Sequence, residues 1–151
     1  MEANLFMFDK VMIVDDTKID RYVASFAMKK NKFTREILEF DMATKAIAFL
    51  ENNQHLPENL PQIIILDIRM PEMDGFQFLE RMSLLPQSIK KSCCIIMLSS
   101  SLDPSDHNRA ESNPVVKKFI NKPLNKGSLE EIRNLYISSM GDTQESRVSN
   151  A

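Results

Sequence analysis

Glycine, cysteine and tryptophan are scarce in this chain of 151 residues. It contains three glycines, two cysteines and no tryptophan. No two glycines lie close together, which excludes the GxGxxG dinucleotide fingerprint and the P-loop, so any phosphate would be held without a glycine-rich loop. The cysteines, Cys93 and Cys94, are adjacent and offer neither a disulfide framework nor the spacing of a metal site. This pattern fits a reducing, cytoplasmic setting.

Long apolar runs and an excess of one charge are also missing. No run approaches the ~18 apolar residues of a membrane span, and residues 1–9 lack the basic and apolar regions of a signal peptide. Nineteen basic residues stand against 21 acidic ones, a net charge of −2 that disfavours direct DNA binding. With 43 % hydrophobic residues, the composition predicts a cytoplasmic globular domain without membrane insertion.

Five short runs predict five β-strands. They cover residues 11–14, 35–40, 63–66, 93–98 and 115–120. The first, third and fourth are apolar without the alternation of a half-exposed strand. Such runs are typical of strands buried on both faces of a parallel sheet.

Helical patterns fill the intervals between these strands. Apolar residues recur at three- and four-residue spacing over residues 19–27, 43–50 and 76–85. The pair Asp103-Pro104 predicts the start of a fourth helix, and Ser128 with Glu131 has the capping-box spacing of a fifth. Alternation of five strands and five helices predicts a three-layer, doubly wound α/β fold with right-handed crossovers.

Polar residues follow three of the predicted strands. Asp15-Asp16, Asp67 and Ser99 stand where the first, third and fourth strands end. In open α/β sheets, ligands bind beyond the carboxyl ends of the strands. If the first and third strands are neighbours, the three carboxylates converge, and their mutual repulsion favours a bound cation. Oxygen ligands select Mg²⁺.

Lys122, after the fifth strand, adds a positive charge to this predicted site. Its ammonium group could contact a phosphoryl oxygen, and the Ser99 hydroxyl could donate to another. Since a carboxylate can act as a nucleophile, the set predicts phosphoryl transfer to an aspartate. Each residue alone has a plainer interpretation, because an Asp at a strand end is often a turn residue or a helix cap. The combination of these residues favours phosphoryl transfer over turn or cap roles.

Four motifs in this order resemble the response regulator receiver domain of two-component signalling. They are Asp15-Asp16, Asp67-Ile68-Arg69-Met70-Pro71-Glu72-Met73-Asp74-Gly75, Ser99-Ser100 and Lys122-Pro123. The resemblance covers residues 9–139 and implies a flavodoxin-like (βα)5 sandwich with strand order 2-1-3-4-5. Residues 1–8 are then an N-terminal extension, and the polar residues 140–151 a flexible C-terminal tail.

The resemblance also implies roles for individual residues. Asp67 would be the phosphoacceptor, Lys122 would contact the phosphoryl group, and Ser99 and Phe119 would be the switch residues. Phe119 lacks the hydroxyl of the tyrosine that is common at its position. The ligands of Mg²⁺ (or Mn²⁺) would be Asp15, Asp16, Asp67 and the backbone carbonyl of Arg69. Pro71, Gly75 and Pro123 would have structural roles near the site.

The function implied is that of a stand-alone, single-domain response regulator. It would accept a phosphoryl group from a sensor histidine kinase or a histidine phosphotransfer protein and catalyse only its own phosphorylation and dephosphorylation. A downstream protein would recognise the face formed by the fourth helix, fifth strand and fifth helix. Arg69 and Ser101 would flank the pocket, either tuning the phosphoryl lifetime or lying in solvent.

Two alternatives use the same residues differently. A phosphatase of the haloacid dehalogenase type needs a second carboxylate two residues after its nucleophile, where this chain has Arg69. A pseudo-receiver keeps the fold but usually lacks the acid pair, the acceptor or the lysine, all of which this sequence retains. Both alternatives are therefore disfavoured.

Overall fold

A five-stranded parallel sheet forms the centre of the molecule in the computed structural model, which describes residues 6–149. The strands are β1 (Phe8–Val14), β2 (Thr34–Phe40), β3 (Ile63–Leu66), β4 (Cys94–Ser99) and β5 (Val116–Asn121). Their order in the sheet is β2-β1-β3-β4-β5. This confirms the predicted flavodoxin-like order 2-1-3-4-5 and makes β1 and β3 neighbours.

Six α-helices connect or follow the strands in the described part of the chain. They are α1 (Lys18–Lys30), α2 (Ala43–Asn52), α3 (Gly75–Ser83), α4 (Gln87–Ser92), α5 (Pro104–Ser112) and α6 (Lys126–Ser149), with a 3-10 turn at Pro57–Asn59. The prediction of five helices was wrong because α4, with six residues, is too short for a periodic apolar pattern. The predicted fourth and fifth helices are α5 and α6.

Helices bury both faces of the sheet. All four residues of β3 are buried, and alternate residues belong to two separate apolar clusters. Ile64 packs in the cluster that contains residues of α2 and α3 such as Leu50 and Phe78. Ile65 packs in the cluster that contains Met28 of α1 and residues of α6. The continuous apolar runs thus reflect strands covered on both sides, as predicted.

Helix α6 begins three residues earlier than the predicted capping box. Asn125 Oδ1 accepts the Ser128 N–H at 3.0 Å, and Ser128 Oγ accepts the Asn125 N–H at 2.9 Å. The cap is therefore Asn125 with Ser128, and the pairing of Ser128 with Glu131 was wrong. The helix continues to Ser149, through most of the segment predicted as a tail.

The predicted domain boundaries remain predictions at both ends of the chain. Strand β1 begins at Phe8, one residue before the predicted start of the domain. Most of the predicted N-terminal extension, residues 1–5, lies outside the described residues, as do residues 150 and 151 of the predicted tail. Within the described residues, no helix is long and apolar enough to cross a membrane.

Candidate functional site

The carboxyl ends of β1 and β3 bring three acidic side chains together. The Asp67 N–H donates to the Val14 carbonyl at 3.0 Å, which extends the pairing of these neighbouring strands by one residue. Carboxylate oxygens of Asp15, Asp16 and Asp67 lie within 4.8 Å of one another. Asp15 and Asp67 are buried, whereas Asp16 is exposed. The fold therefore brings these three carboxylates together, as the sequence predicted.

Lys122 reaches into this cluster from the end of β5. Its Nζ lies 2.7 Å from Asp15 Oδ2, 2.8 Å from Asp20 Oδ2 and 3.5 Å from Asp67 Oδ1. Burial alone would lower the pKa of Lys122, but the hydrogen bonds to Asp15 and Asp20 and the charge of Asp67 raise it above its usual value. The side chain therefore stays positively charged among the carboxylates.

The surroundings of Asp67 disfavour the negative charge of its carboxylate. Burial raises its pKa to about 6, the charge of Asp15 acts in the same direction, and Lys122 opposes the shift. The Ile68 N–H donates to Asp67 Oδ1 at 2.9 Å. One ammonium group thus lies among the carboxylates of Asp15, Asp20 and Asp67, and the carboxylate of Asp16 is close to two of them. An all-oxygen set with excess negative charge fits a hard divalent cation.

Ser99 lines the cleft at the end of β4, the strand between β3 and β5. It is buried at the end of β4 and lines the cleft together with Asp67 and Lys122. Ser99 Oγ accepts the Ser101 N–H at 3.1 Å, and its carbonyl accepts the Lys122 N–H at 2.9 Å. This backbone hydrogen bond places the hydroxyl and the ammonium group on adjacent strand ends.

Phe119, the other predicted switch residue, lies outside the cleft. Its half-buried ring packs on the imidazole of His107 in α5, with 4.1 Å between ring centroids. The structure therefore brings Phe119 to the contact between β5 and α5 and not to the carboxylates.

Glycine is required at position 75 by the close approach of α3 to the backbone that follows β3. A Cβ atom there would collide with the Asp67 carbonyl oxygen and come within 3.0 Å of Ile68 Cα. The Gly75 N–H donates to the Ile68 carbonyl at 2.8 Å, which holds the two segments together. Asp74 caps α3 by accepting the Gln77 N–H at 2.8 Å.

The two predicted structural prolines lie in the loops that follow β3 and β5. Pro71 precedes Glu72, which has a φ of 67°, and its carbonyl accepts the Met73 N–H at 2.8 Å. Pro123 follows Lys122 through a cis peptide bond.

Sequence reasoning missed two acidic residues at the site. Asp20 lies in the first turn of α1. A helix that begins directly after the end of β1 places its first turn near the strand ends, and this was a usable signal. Asp106 of α5 is buried and accepts hydrogen bonds from Arg69 Nη2 at 2.7 Å and Ser101 Oγ at 2.8 Å. Arg69 lies 37 residues before Asp106, so no local sequence pattern indicates this contact.

The family comparison agrees with this arrangement. The model of the response regulator receiver domain matches residues 11–134, and the chain belongs to this family of two-component signalling proteins. Receiver domains are generally signalling modules without an enzymatic activity toward other substrates, and they bind Mg²⁺ or Mn²⁺ in an acidic pocket that the Asp15, Asp16 and Asp67 cluster matches.

Similar proteins come from plants and bacteria. The two-component response regulator ORR1 of rice is 29 % identical over 127 residues, which are 83 % of this chain and 54 % of the rice protein. The chain thus spans about half the length of this relative.

Two solved structures share the fold. A two-component response regulator from Cytophaga hutchinsonii aligns with a TM-score of 0.77 and 29 % identity, over 89 % of this chain and 98 % of its own. The receiver domain of the histidine kinase CKI1 from Arabidopsis thaliana, complexed with Mg²⁺, aligns with a TM-score of 0.68 and 27 % identity, over 84 % and 91 %.

Proposed function

We propose that this receiver domain is a phosphorylatable switch in which Asp67 accepts a phosphoryl group from a phosphohistidine. The observation that carries the proposal is the buried Asp67 carboxylate at a strand end, beside Lys122 and Asp15. In the reaction, an Asp67 oxygen bonds to phosphorus while the phosphorus–nitrogen bond of the phosphohistidine breaks. The donor would be a sensor histidine kinase or a histidine phosphotransfer protein.

The acidic cluster would hold the divalent cation that this reaction requires. Asp15, Asp16 and Asp67 would supply carboxylate oxygens and Arg69 its backbone carbonyl. When bound, Mg²⁺ or Mn²⁺ supplies positive charge against the phosphoryl oxygens. The CKI1 receiver domain, which was solved with Mg²⁺, supports this assignment.

Lys122 and Ser99 would contact the transferred group. Lys122 Nζ, 3.5 Å from Asp67 Oδ1, is close enough to move from the carboxylate to a phosphoryl oxygen. Ser99 Oγ accepts from the Ser101 N–H, which leaves its own hydroxyl hydrogen available to donate to a second phosphoryl oxygen. Both contacts strengthen as negative charge increases on the transferred group.

Phosphorylation would change protein contacts through the face formed by α5, β5 and α6. Ser99 leads into the loop before α5, and Phe119 of β5 packs on His107 of α5. A movement of Ser99 toward the phosphoryl group would therefore alter the packing of α5 on β5. A partner that binds one arrangement more tightly would then respond to phosphorylation.

Intact-mass spectrometry after incubation with acetyl phosphate tests the proposal. The wild-type protein is expected to gain the mass of one phosphoryl group with Mg²⁺ and none with a chelator. Asp67→Asn should stay unlabelled, while Asp9→Asn, at an exposed carboxylate on the opposite end of the sheet, should be labelled like wild type. Labelling of Asp67→Asn at the wild-type level would contradict Asp67 as the acceptor.

A further inference from the structure

Asp20 is an acidic residue of the cleft to which the proposed reaction gives no role. It lies in the first turn of α1 and lines the cleft together with Asp67 and Lys122. Its Oδ2 accepts a hydrogen bond from Lys122 Nζ at 2.8 Å, and its side chain is 37 % exposed. This contact joins the start of α1 to the residue that follows β5.

The short connection between β1 and α1 fixes the position of Asp20. The Thr17 N–H donates to Asp15 Oδ1 at 2.9 Å, and Arg21 Nη1 donates to the Asp15 carbonyl at 2.8 Å. These hydrogen bonds hold the first turn of α1 against the end of β1. A carboxylate in the first turn is also stabilised by the helix dipole. Asp20 therefore offers its carboxylate from a helix turn that is itself held in place.

The ammonium group of Lys122 depends on carboxylates for its position. The four-carbon side chain of a lysine is flexible, and its ammonium group has three hydrogens to donate. Asp15 at 2.7 Å and Asp20 at 2.8 Å are its close partners, whereas Asp67 is 3.5 Å away. The two short contacts therefore hold the ammonium group within reach of Asp67.

Asp20 differs from the other two partners of Lys122 in its relation to the acidic cluster. Within the part of the chain that the structure describes, the carboxylates that lie within 4.8 Å of one another are those of Asp15, Asp16 and Asp67. A divalent cation held by this set would occupy oxygens of Asp15 and Asp67, and its charge would repel the ammonium group. Asp20 stands outside the set, so its carboxylate would remain available to Lys122.

We propose that Asp20 is a positioning residue that keeps Lys122 beside Asp67 once a divalent cation occupies the acidic cluster. The inference rests on the proposed function of Asp67 as acceptor, in which Lys122 contacts a phosphoryl oxygen while the cation is bound. Asp20 retains the ammonium group without touching the phosphoryl group itself. Without a negative charge at position 20, Lys122 would move away from the cation and from the acceptor.

Calorimetric titration with beryllofluoride, a mimic of the phosphoryl group, tests this role in saturating Mg²⁺. Asp20→Asn keeps the size of the side chain but removes its charge, and its affinity for beryllofluoride should be about fivefold weaker, the upper range for a partly exposed ion pair. Asp20→Glu keeps the charge and should recover most of this loss. Asp41→Asn is the matched control, because Asp41 follows β2 and pairs with Lys45 at 2.9 Å. It should bind beryllofluoride like wild type.

NMR of protein labelled with ¹⁵N at the lysine Nζ atoms follows the ammonium group directly. The signal that is missing from Lys122→Arg belongs to Lys122. Without Mg²⁺ this signal should be present in wild type and in Asp20→Asn, since Asp15 still holds the ammonium group. With Mg²⁺ and no beryllofluoride it should persist in wild type and disappear from Asp20→Asn, because a released ammonium group exchanges its hydrogens rapidly with water. A role of Asp20 in general stability would not depend on Mg²⁺ in this way.

Three results would overturn the proposal. They are equal affinity of wild type and Asp20→Asn for beryllofluoride, a Lys122 signal that survives Mg²⁺ in Asp20→Asn, and loss of that signal already without Mg²⁺. A wild-type protein that neither binds beryllofluoride nor is labelled by acetyl phosphate would instead refute Asp67 as acceptor, and the role of Asp20 with it.

Discussion

Lys122 and Arg69 are the two cations of the cleft, and the fold holds them in opposite ways. The Lys122 side chain is 12 % exposed and lies within 3.5 Å of three carboxylates at the floor. The Arg69 side chain is 64 % exposed and contacts a single carboxylate at the rim. Removing one partner of a buried ion pair is costly because it leaves a charge uncompensated, whereas an exposed pair contributes little.

The two regions should therefore respond differently to substitution. The floor is defined by Asp15, Asp20, Asp67 and Lys122, and a change there should affect both stability and the proposed phosphorylation. The rim is defined by Arg69, Ser101 and Asp106, and since the Arg69 side chain is exposed, its removal should change the stability by only a modest free energy.

Removal of the buried cation should give the largest effect. Lys122→Met keeps the length of the side chain but leaves Asp15, Asp20 and Asp67 without their ammonium partner. We expect the free energy of unfolding to fall by about 3–5 kcal/mol without divalent cations. The matched control is Lys118→Met, since Lys118 pairs at 3.5 Å with the exposed Glu131, and it should cost less than about 1 kcal/mol. Equal losses of unfolding free energy in the two variants, measured by urea denaturation, would contradict the difference between buried and exposed cations.

The pH dependence of stability should show the free-energy cost of ionising Asp67 in the folded protein. Asp67 has a pKa of about 6 in the folded chain against an ordinary value of 3.8, so the folded state binds the proton more tightly. The stability from this proton is complete below pH 3.8 and is lost as the pH rises through 6. Asp67→Asn has no such loss, and its advantage over wild type should grow by about 2.4 kcal/mol from pH 4 to pH 8. Denaturation in chelator measures it, and a constant difference between the two proteins would contradict the pKa.

Substitution of Gly75 by alanine should lower the stability of the protein by a comparable amount. In Gly75→Ala the new Cβ meets the backbone of Asp67 and Ile68, which cannot move as a flexible side chain would. The expected loss of stability is about 1–3 kcal/mol, with slower labelling of Asp67. Gly127→Ala is the control, because its Cβ would meet only the Asn125 side chain, at 3.3 Å. If both variants melt at the same temperature, the backbone approach does not constrain the site.

The exposed carboxylate of the cluster should affect cation binding without affecting stability. Asp16→Asn should change the stability of the cation-free protein by less than about 0.5 kcal/mol, since Asp16 is exposed. Its affinity for Mg²⁺ should fall by about tenfold or more. Calorimetric titration with Mg²⁺ measures this, and an unchanged affinity would remove Asp16 from the ligand set.

The sequence predicted the strands better than the helix ends. The run over residues 63–66 coincides with β3, because a short unbroken apolar run between polar residues is typical of a strand buried on both faces. Helix α4 escaped detection because six residues complete fewer than two turns. The start of α6 was misplaced because Ser128 fits two caps equally well by spacing, and the side chain of Asn125 decides between them.

The candidate site was predictable where it depends on strand ends. Asp15, Asp67 and Ser99 follow buried runs, so their convergence follows from the topology of a parallel sheet. The contacts from helices were not predictable. The pairing of Lys122 with Asp20 joins residues 102 positions apart, and that of Arg69 with Asp106 depends on the placement of α5 against the loop after β3. Such contacts are set by the packing of complete elements.

The scarcity of glycine gives this protein a simple spectroscopic handle. Chains grown with ¹⁵N-glycine as the only labelled amino acid carry three labelled backbone amides. One of them, Gly75, donates its N–H to the carbonyl of Ile68, the residue after Asp67, at 2.8 Å. Its signal in an NMR spectrum would report directly on the backbone that carries the acceptor, while the amide of Gly127 at the start of α6 provides an internal reference away from the cleft.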